Sequence, residues 1–301
     1  NAGTLTLGAA DRIADTSNLN VAGGTFNLGG FNETLGSITG SGNITLGAGT
    51  LTTNSTSNTT FSGLISGTGG LTKNGSSTLT LSGNNTYNGT TTINAGTLTL
   101  NNAAANSQTV VGNMTISGGK VDVTSANQIA DTSSITITSG SLDFSTVADT
   151  INSVTMSGGT LRKTGSSGEL LLKAASSFTG GTVNFASNDA KITTNATTTL
   201  GNVTFDFSQA SGTSGQGLSL GGDIVVNANT TANFTNSGGG LGRRRLLHPA
   251  HRLEARHKFH KHPRAHHEVW SRAWPGWEPL GPPLGHAVDG APLFLKAQQG
   301  L

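Results

Sequence analysis

No cysteine occurs in the 301 residues, so disulfides, thiolate metal sites and cysteine nucleophiles are excluded. Residues 1–240 also lack proline, histidine and tryptophan, and without histidine no Ser-His-Asp triad can be assembled there. Charge is sparse in the same stretch, with 7 Lys and Arg against 11 Asp and Glu, a net of −4. No apolar run approaches the ~18 residues that a membrane-spanning helix needs. A G-x-S-x-G elbow, a P-loop and a Gly-Gly-x-Gly-x-Asp calcium repeat are all missing. These gaps leave no cofactor to expect. There is no signal peptide at the amino end either: Asn1 opens inside a repeated phrase, as a piece of a longer protein would.

What the chain does contain is one five-residue phrase, a small residue followed by alternating polar and apolar residues. It reads GTLTL at Gly3, GTFNL at Gly24, GTLTT at Gly49, STLTL at Ser77, GTLTL at Gly96 and GKVDV at Gly119. It continues as GSLDF at Gly140, GTLRK at Gly159, GTVNF at Gly181, VTFDF at Val203 and GDIVV at Gly222. Apolar residues two apart share one side of a strand, and recurrence at about twenty residues is the mark of a solenoid. The expected core holds Leu79, Leu81, Tyr87, Ile93, Leu98, Leu100, Val121, Val123, Leu142, Phe144, Val183, Phe185, Phe205 and Phe207. Low hydrophobicity would also fit a disordered linker, but there the apolar residues would be scattered and not paired. Helical periodicity is nearly absent; only Gly168 to Ser176 offers a turn of helix.

The segment GGLTKNGSSTLTLSGNNTYNGTTTINAGTLTL, residues 69–100, closely resembles the strand repeat of bacterial autotransporter (type V secretion) passengers. The fixed points are GGLTKNG, TLTLSG, NTY-G, TTI and GTLTL. A second echo, ADRIADTS from Ala10 and ANQIADTS from Ala126, suggests that larger blocks were duplicated. The phrase spacing points to an all-β parallel solenoid of about 11 coils over residues 1–240, and the resemblance implies that it is a right-handed parallel β-helix. The resemblance further implies export to the surface of a Gram-negative cell and a carboxy-terminal translocator barrel in the outer membrane. Residues 241–301 lack the alternating ten-residue strands of a barrel, so that domain is expected to be missing from this piece.

Aligned phrases place Thr99, Asp122, Asp143, Arg162, Asn184 and Asp206 in one outward column. Asp122 and Asp143 would then lie one strand spacing apart, either as a cation site or acid/base pair, or as a solvated ladder with Arg162 offsetting Asp143. The ladder is the reading preferred, and Tyr87 is read as packing inside its own coil. The tail reverses the composition: all seven Pro, eight His and three Trp lie in residues 241–301, with a net of +6. Arg243 to Arg245, Lys258 and Lys261 with Trp270, Trp274 and Trp277 could form a nucleic-acid patch. His257, His260, His262, His266 and His267 could bind a metal. Neither reading explains the abrupt change of residue usage, so the tail is read as disordered or out of frame. The function expected is a structural and adhesive passenger stalk, not an enzyme. It would bind itself, a host surface or a glycan through its solenoid faces. A polysaccharide lyase or hydrolase on a pectate-lyase-like β-helix is the alternative, and nucleic-acid binding by the tail ranks last.

Overall fold

A computed structural model describes residues 3–104, 108–145, 147–164, 168–187, 190–207, 217–227 and 231–235, with two short strands beyond. Every described regular element is a β-strand. The chain winds so that each lap lays one strand on each of up to three faces, and each strand pairs in parallel with its equivalent a lap away. The long face runs in order from Asn18–Val21 to Ala232–Thr235, eleven parallel strands in succession. The second face, here the threonine face, holds ten strands from Glu33–Leu35 to Ile224–Val226, nine laps from first to last. That is slightly fewer than the eleven coils counted from the phrases. Seven phrases lie on the long face; those at Gly3 and Gly24 lie on the third face, and those at Gly49 and Gly222 on the threonine face. Period-two alternation marks a strand without saying which side of the coil carries it.

The third face is split. Thr4–Thr6, Thr25–Asn27, Asn43–Thr45 and Ile65–Ser66 form one four-stranded sheet, and Asp149–Ile151, Glu169–Leu172, Lys191–Thr194 and Gly217–Leu220 form another. Among the described residues between Ser82 and Ala148 this side has no named strand, only the isolated Val110–Ile129 bridge. The turn of helix considered at Gly168 to Ser176 is instead the strand Glu169–Leu172. Its Leu170 and Leu172 are buried, and ladders on both sides fix its extended form.

Inward residues from all faces form one continuous core. All fourteen predicted core positions are buried, Leu98, Val121 and Leu142 completely. Phe185 stacks on Phe207 one lap on, with ring centroids 4.4 Å apart, and Phe178 meets Phe205 edge-on at 6.2 Å. The Gly that opens the phrase has a structural cause. Gly140 and Gly181 adopt φ of 73° and 78°, and a Cβ on either would collide with the carbonyl oxygen of Gly119 or Gly159 a lap below. In the tail, Leu293–Leu295 pairs antiparallel with Ala232–Thr235 and with Ala255–Arg256, outside the parallel stack. The basic, histidine and tryptophan positions singled out in the tail lie outside the described residues.

Candidate functional site

On the threonine face the strands are short, so each presents a central residue outward between two inward ones. Leu71 and Lys73 flank Thr72; Met114 and Ile116 flank Thr115. The in-register pairing stacks these central residues into one column: Thr34, Thr52, Thr72, Thr92, Thr115, Thr136, Thr155, Ser177 and Thr199, ending at Val225. Nine hydroxyls thus succeed one another without a charge, each at least partly open to solvent. β-Branched Thr suits both the strand backbone and the outward position. A bordering column of Asn74, Asn94 and Ser117 is tied together: Asn94 Nδ2 donates to Asn74 Oδ1 at 2.7 Å, and Ser117 Oγ to Asn94 Oδ1 at 2.6 Å.

The long face begins alike, with Thr60, Thr80 and Thr99 in register, then changes. The expected column Thr99, Asp122, Asp143, Arg162, Asn184, Asp206 is present in register. Each carboxylate of the candidate cation pair has its own partner. Lys120 Nζ lies 2.7 Å from Asp122 Oδ1; Arg162 Nη1 lies 3.5 Å from Asp143 Oδ2, and Thr164 Oγ1 donates to Asp143 Oδ1 at 3.1 Å. Asp143 departs from the solvated ladder: it is only 5% exposed, and burial pushes its carboxyl above the usual range. Among the described residues no three His, Asp or Glu side chains converge as metal ligands would. Asn184 Nδ2 donates to Asp206 Oδ2 at 2.8 Å and Arg162 Nε to Asn184 Oδ1 at 3.3 Å, which completes a cross-linked polar strip. Tyr87 is fully buried with its hydroxyl 2.7 Å from Thr91 Oγ1, and burial pushes its phenol up to about 12.

Sequence reasoning missed the charges inside the coil. Lys73 and Lys163 occupy inward positions and are completely buried, and burial lowers both ammoniums from their ordinary value. Lys73 Nζ donates to the Gly75 and Ala95 carbonyls, Lys163 Nζ to the Ser145 carbonyl at 3.0 Å. The signal was legible: in LTK at 71–73 and TLRK at 160–163 the lysine falls in the apolar phase of the alternation. Glu33 and Asp149, also missed, are nearly as buried, at 1% and 2% exposed.

Residues 71–100 match the family model described as the passenger-associated-transport-repeat. Over 206 residues, 66% of this chain, the sequence is 35% identical to the protein named "Adhesin BmaC autotransporter" from Brucella suis biovar 1 (strain 1330). The matched stretch is 6% of that protein, so the chain spans a small part of its relative's length. No solved structure matches. Together with the parallel solenoid, the repeat match and the adhesin match support an autotransporter passenger, of a kind secreted to the surface of a Gram-negative cell. Among the described residues no helix is long and apolar enough to cross a membrane.

Proposed function

We propose that this segment is an adhesive passenger rod, and that the threonine face is where it sticks. The observation that carries the reading is the column from Thr34 to Thr199, which is uncharged and in register throughout. A hydroxyl both donates and accepts, so a row of them meets any polar surface without a fixed polarity. Covering neutral hydroxyls costs far less than stripping water from ions. Each contact contributes no more than about 1 kcal/mol, and binding strength comes from the number made together. Eight strand spacings of ~4.8 Å and a width of roughly 15 Å give roughly 600 Å² per partner, the low end for a stable interface. A second rod offers the same spacing and is the best-matched partner; a host surface or its glycans are the other. The relative's name, an adhesin, supports the reading. Asp122 and Asp143, each already held by a cation, give the lyase or hydrolase alternative no open carboxylate pair.

Charging the middle of the ladder tests this. Thr92→Lys, Thr115→Lys and Thr136→Lys together should cut self-association in sedimentation and cell-surface binding at least tenfold. Unchanged Tm would show the rod intact. The same three charges at Thr60, Thr80 and Thr99 on the long face should have little effect. Equal losses from both faces, or none from either, would refute the assignment.

A further inference from the structure

Among the described residues only two other than glycine have positive φ, Asp11 at 50° and Asn127 at 53°. They occupy the same place in the two echoed blocks, ADRIADTS and ANQIADTS. In each block the two following backbone N–H groups converge on a carboxylate from the next coil. Arg12 and Ile13 donate to Glu33 Oε2 and Oε1 at 3.0 and 3.1 Å; Gln128 and Ile129 donate to Asp149 Oδ2 at 3.1 and 3.3 Å. Successive N–H groups flanking a left-handed residue form a concave anion nest, and here the nest is filled by the chain's own acid.

The second nest sits where the third face has lost its strands. Beside backbone bonds such as Thr109 N to the Gln128 carbonyl at 2.8 Å, coil-to-coil hydrogen bonds there also pass through buried side chains. Asn85 Oδ1 accepts from Ile65 N at 2.9 Å and its Nδ2 donates to the Thr109 carbonyl at 3.0 Å. Gln128 Oε1 accepts from Asn102 N at 2.7 Å and Thr109 Oγ1 at 2.6 Å. Asp149 closes the series and opens the strand Asp149–Ile151, so this one carboxyl joins the side-chain seam to the ladder that resumes beyond it.

We propose that Asp149 is a proton-operated latch on this seam, closed more tightly when its carboxyl is neutral and loosened when it is ionised. Among the described residues, the charges around it give no compensation. From the coil below, Asp131 is of like sign, raises the carboxyl further, and is itself 3.6 Å from Lys173 Nζ. From the coils above, Glu169 is paired with Lys191 at 3.1 Å. On its own coil Asp143 is paired with Arg162. Histidine is absent from the first 247 residues. Burial pushes the Asp149 carboxyl up to about 7, against the pull of three N–H donors including Thr150 at 2.8 Å. When the seam opens, water reaches the group and its pKa returns toward 3.8. A pKa raised in the closed form means that the closed form binds the proton better, so acid favours closure and alkali opening.

Hydrogen exchange on the full chain decides it. After correction for intrinsic rates, protection of the Gln128 and Ile129 amides should rise roughly tenfold per unit as pH falls from 7 toward 5. In Asp149→Asn the same amides should show no such slope. The wild-type series stands alone if that variant does not fold. A flat wild-type profile, protection that falls with acid, or a slope that survives in Asp149→Asn would overturn the proposal.

Discussion

The threonine face and the long face are built on the same strand grammar and share one core, yet their exteriors diverge. The first keeps hydroxyls from Thr34 to Thr199; the second turns after Thr99 into Asp122, Asp143, Arg162, Asn184 and Asp206. Inward positions answer to packing and are mostly Leu, Ile, Val, Met or Phe, with Glu33, Lys73 and Lys163 as charged exceptions. Outward positions are free of that demand. The long face satisfies its polarity within itself through Lys120–Asp122, Arg162–Asp143 and Asn184–Asp206, whereas the hydroxyl column of the threonine face stays at least partly open to solvent. Stability thus resides in the inward phase of each strand, and the recognition proposed above would use the outward phase.

The sharpest way to break that division is to truncate one residue of each phase on each face. Leu142→Ala removes a fully buried side chain from the long face and should cost about 2–5 kcal/mol; Ile135→Ala on the threonine face should cost the same. Thr136→Ala, one residue further on and outward, should stay within about 0.5 kcal/mol while weakening self-association. Denaturant unfolding measures the first pair and sedimentation the last. A Thr136→Ala loss comparable to the leucine's would show that the ladder holds the rod together instead of serving a partner.

A smaller effect separates the two buried lysines. Lys73 ends a strand of the threonine face and has only carbonyl partners described, so Lys73→Met exchanges a desolvated ammonium for an apolar chain of similar length. The expected change is within about 1 kcal/mol in either direction. Lys163 ends a strand of the long face and its charge also acts on Asp143, which is 5% exposed. Lys163→Met takes support from that buried carboxylate and should cost about 2–3 kcal/mol. Equal losses by chemical denaturation would show that the Lys163 charge does nothing for Asp143.

The parallel stacking, the core and the register of the Asp122–Asp143 column were legible because alternation is local and a solenoid repeats it. Leu98 over Val121 over Leu142 follows from aligning three phrases. The face of each phrase was not legible: GTLTT at Gly49 and GTLTL at Gly96 read alike, and only the intervening corners send them to different sides. The threonine column escaped notice for a related reason. Its members sit in LTT, LTK, TTI and MTI, which do not look like copies of one phrase although the coil superposes them. Asp149 was hidden further, since its nest lies a lap away at Gln128 and Ile129, and only the left-handed Asn127 turns those N–H groups toward it.

The smallest expected effect concerns the long face's exposed pair. Lys120 and Asp122 lie 2.7 Å apart with side chains 42% and 24% exposed, one strand spacing from Asp143. Water screens such a pair, so Lys120→Ser should cost no more than about 0.5 kcal/mol. Its more telling consequence is for the ladder reading of Asp122 and Asp143. With Lys120 gone, Asp122 loses its partner beside a carboxyl whose pKa is already raised by burial, and which Lys120 itself helps to lower. If the pair were a cation site, this variant should bind Ca²⁺ more tightly than wild type and show a higher Tm in its presence. If Arg162 and Thr164 suffice to hold Asp143, Ca²⁺ should leave the melting midpoint of both proteins unmoved, the outcome expected of a strip whose charges are spent on one another.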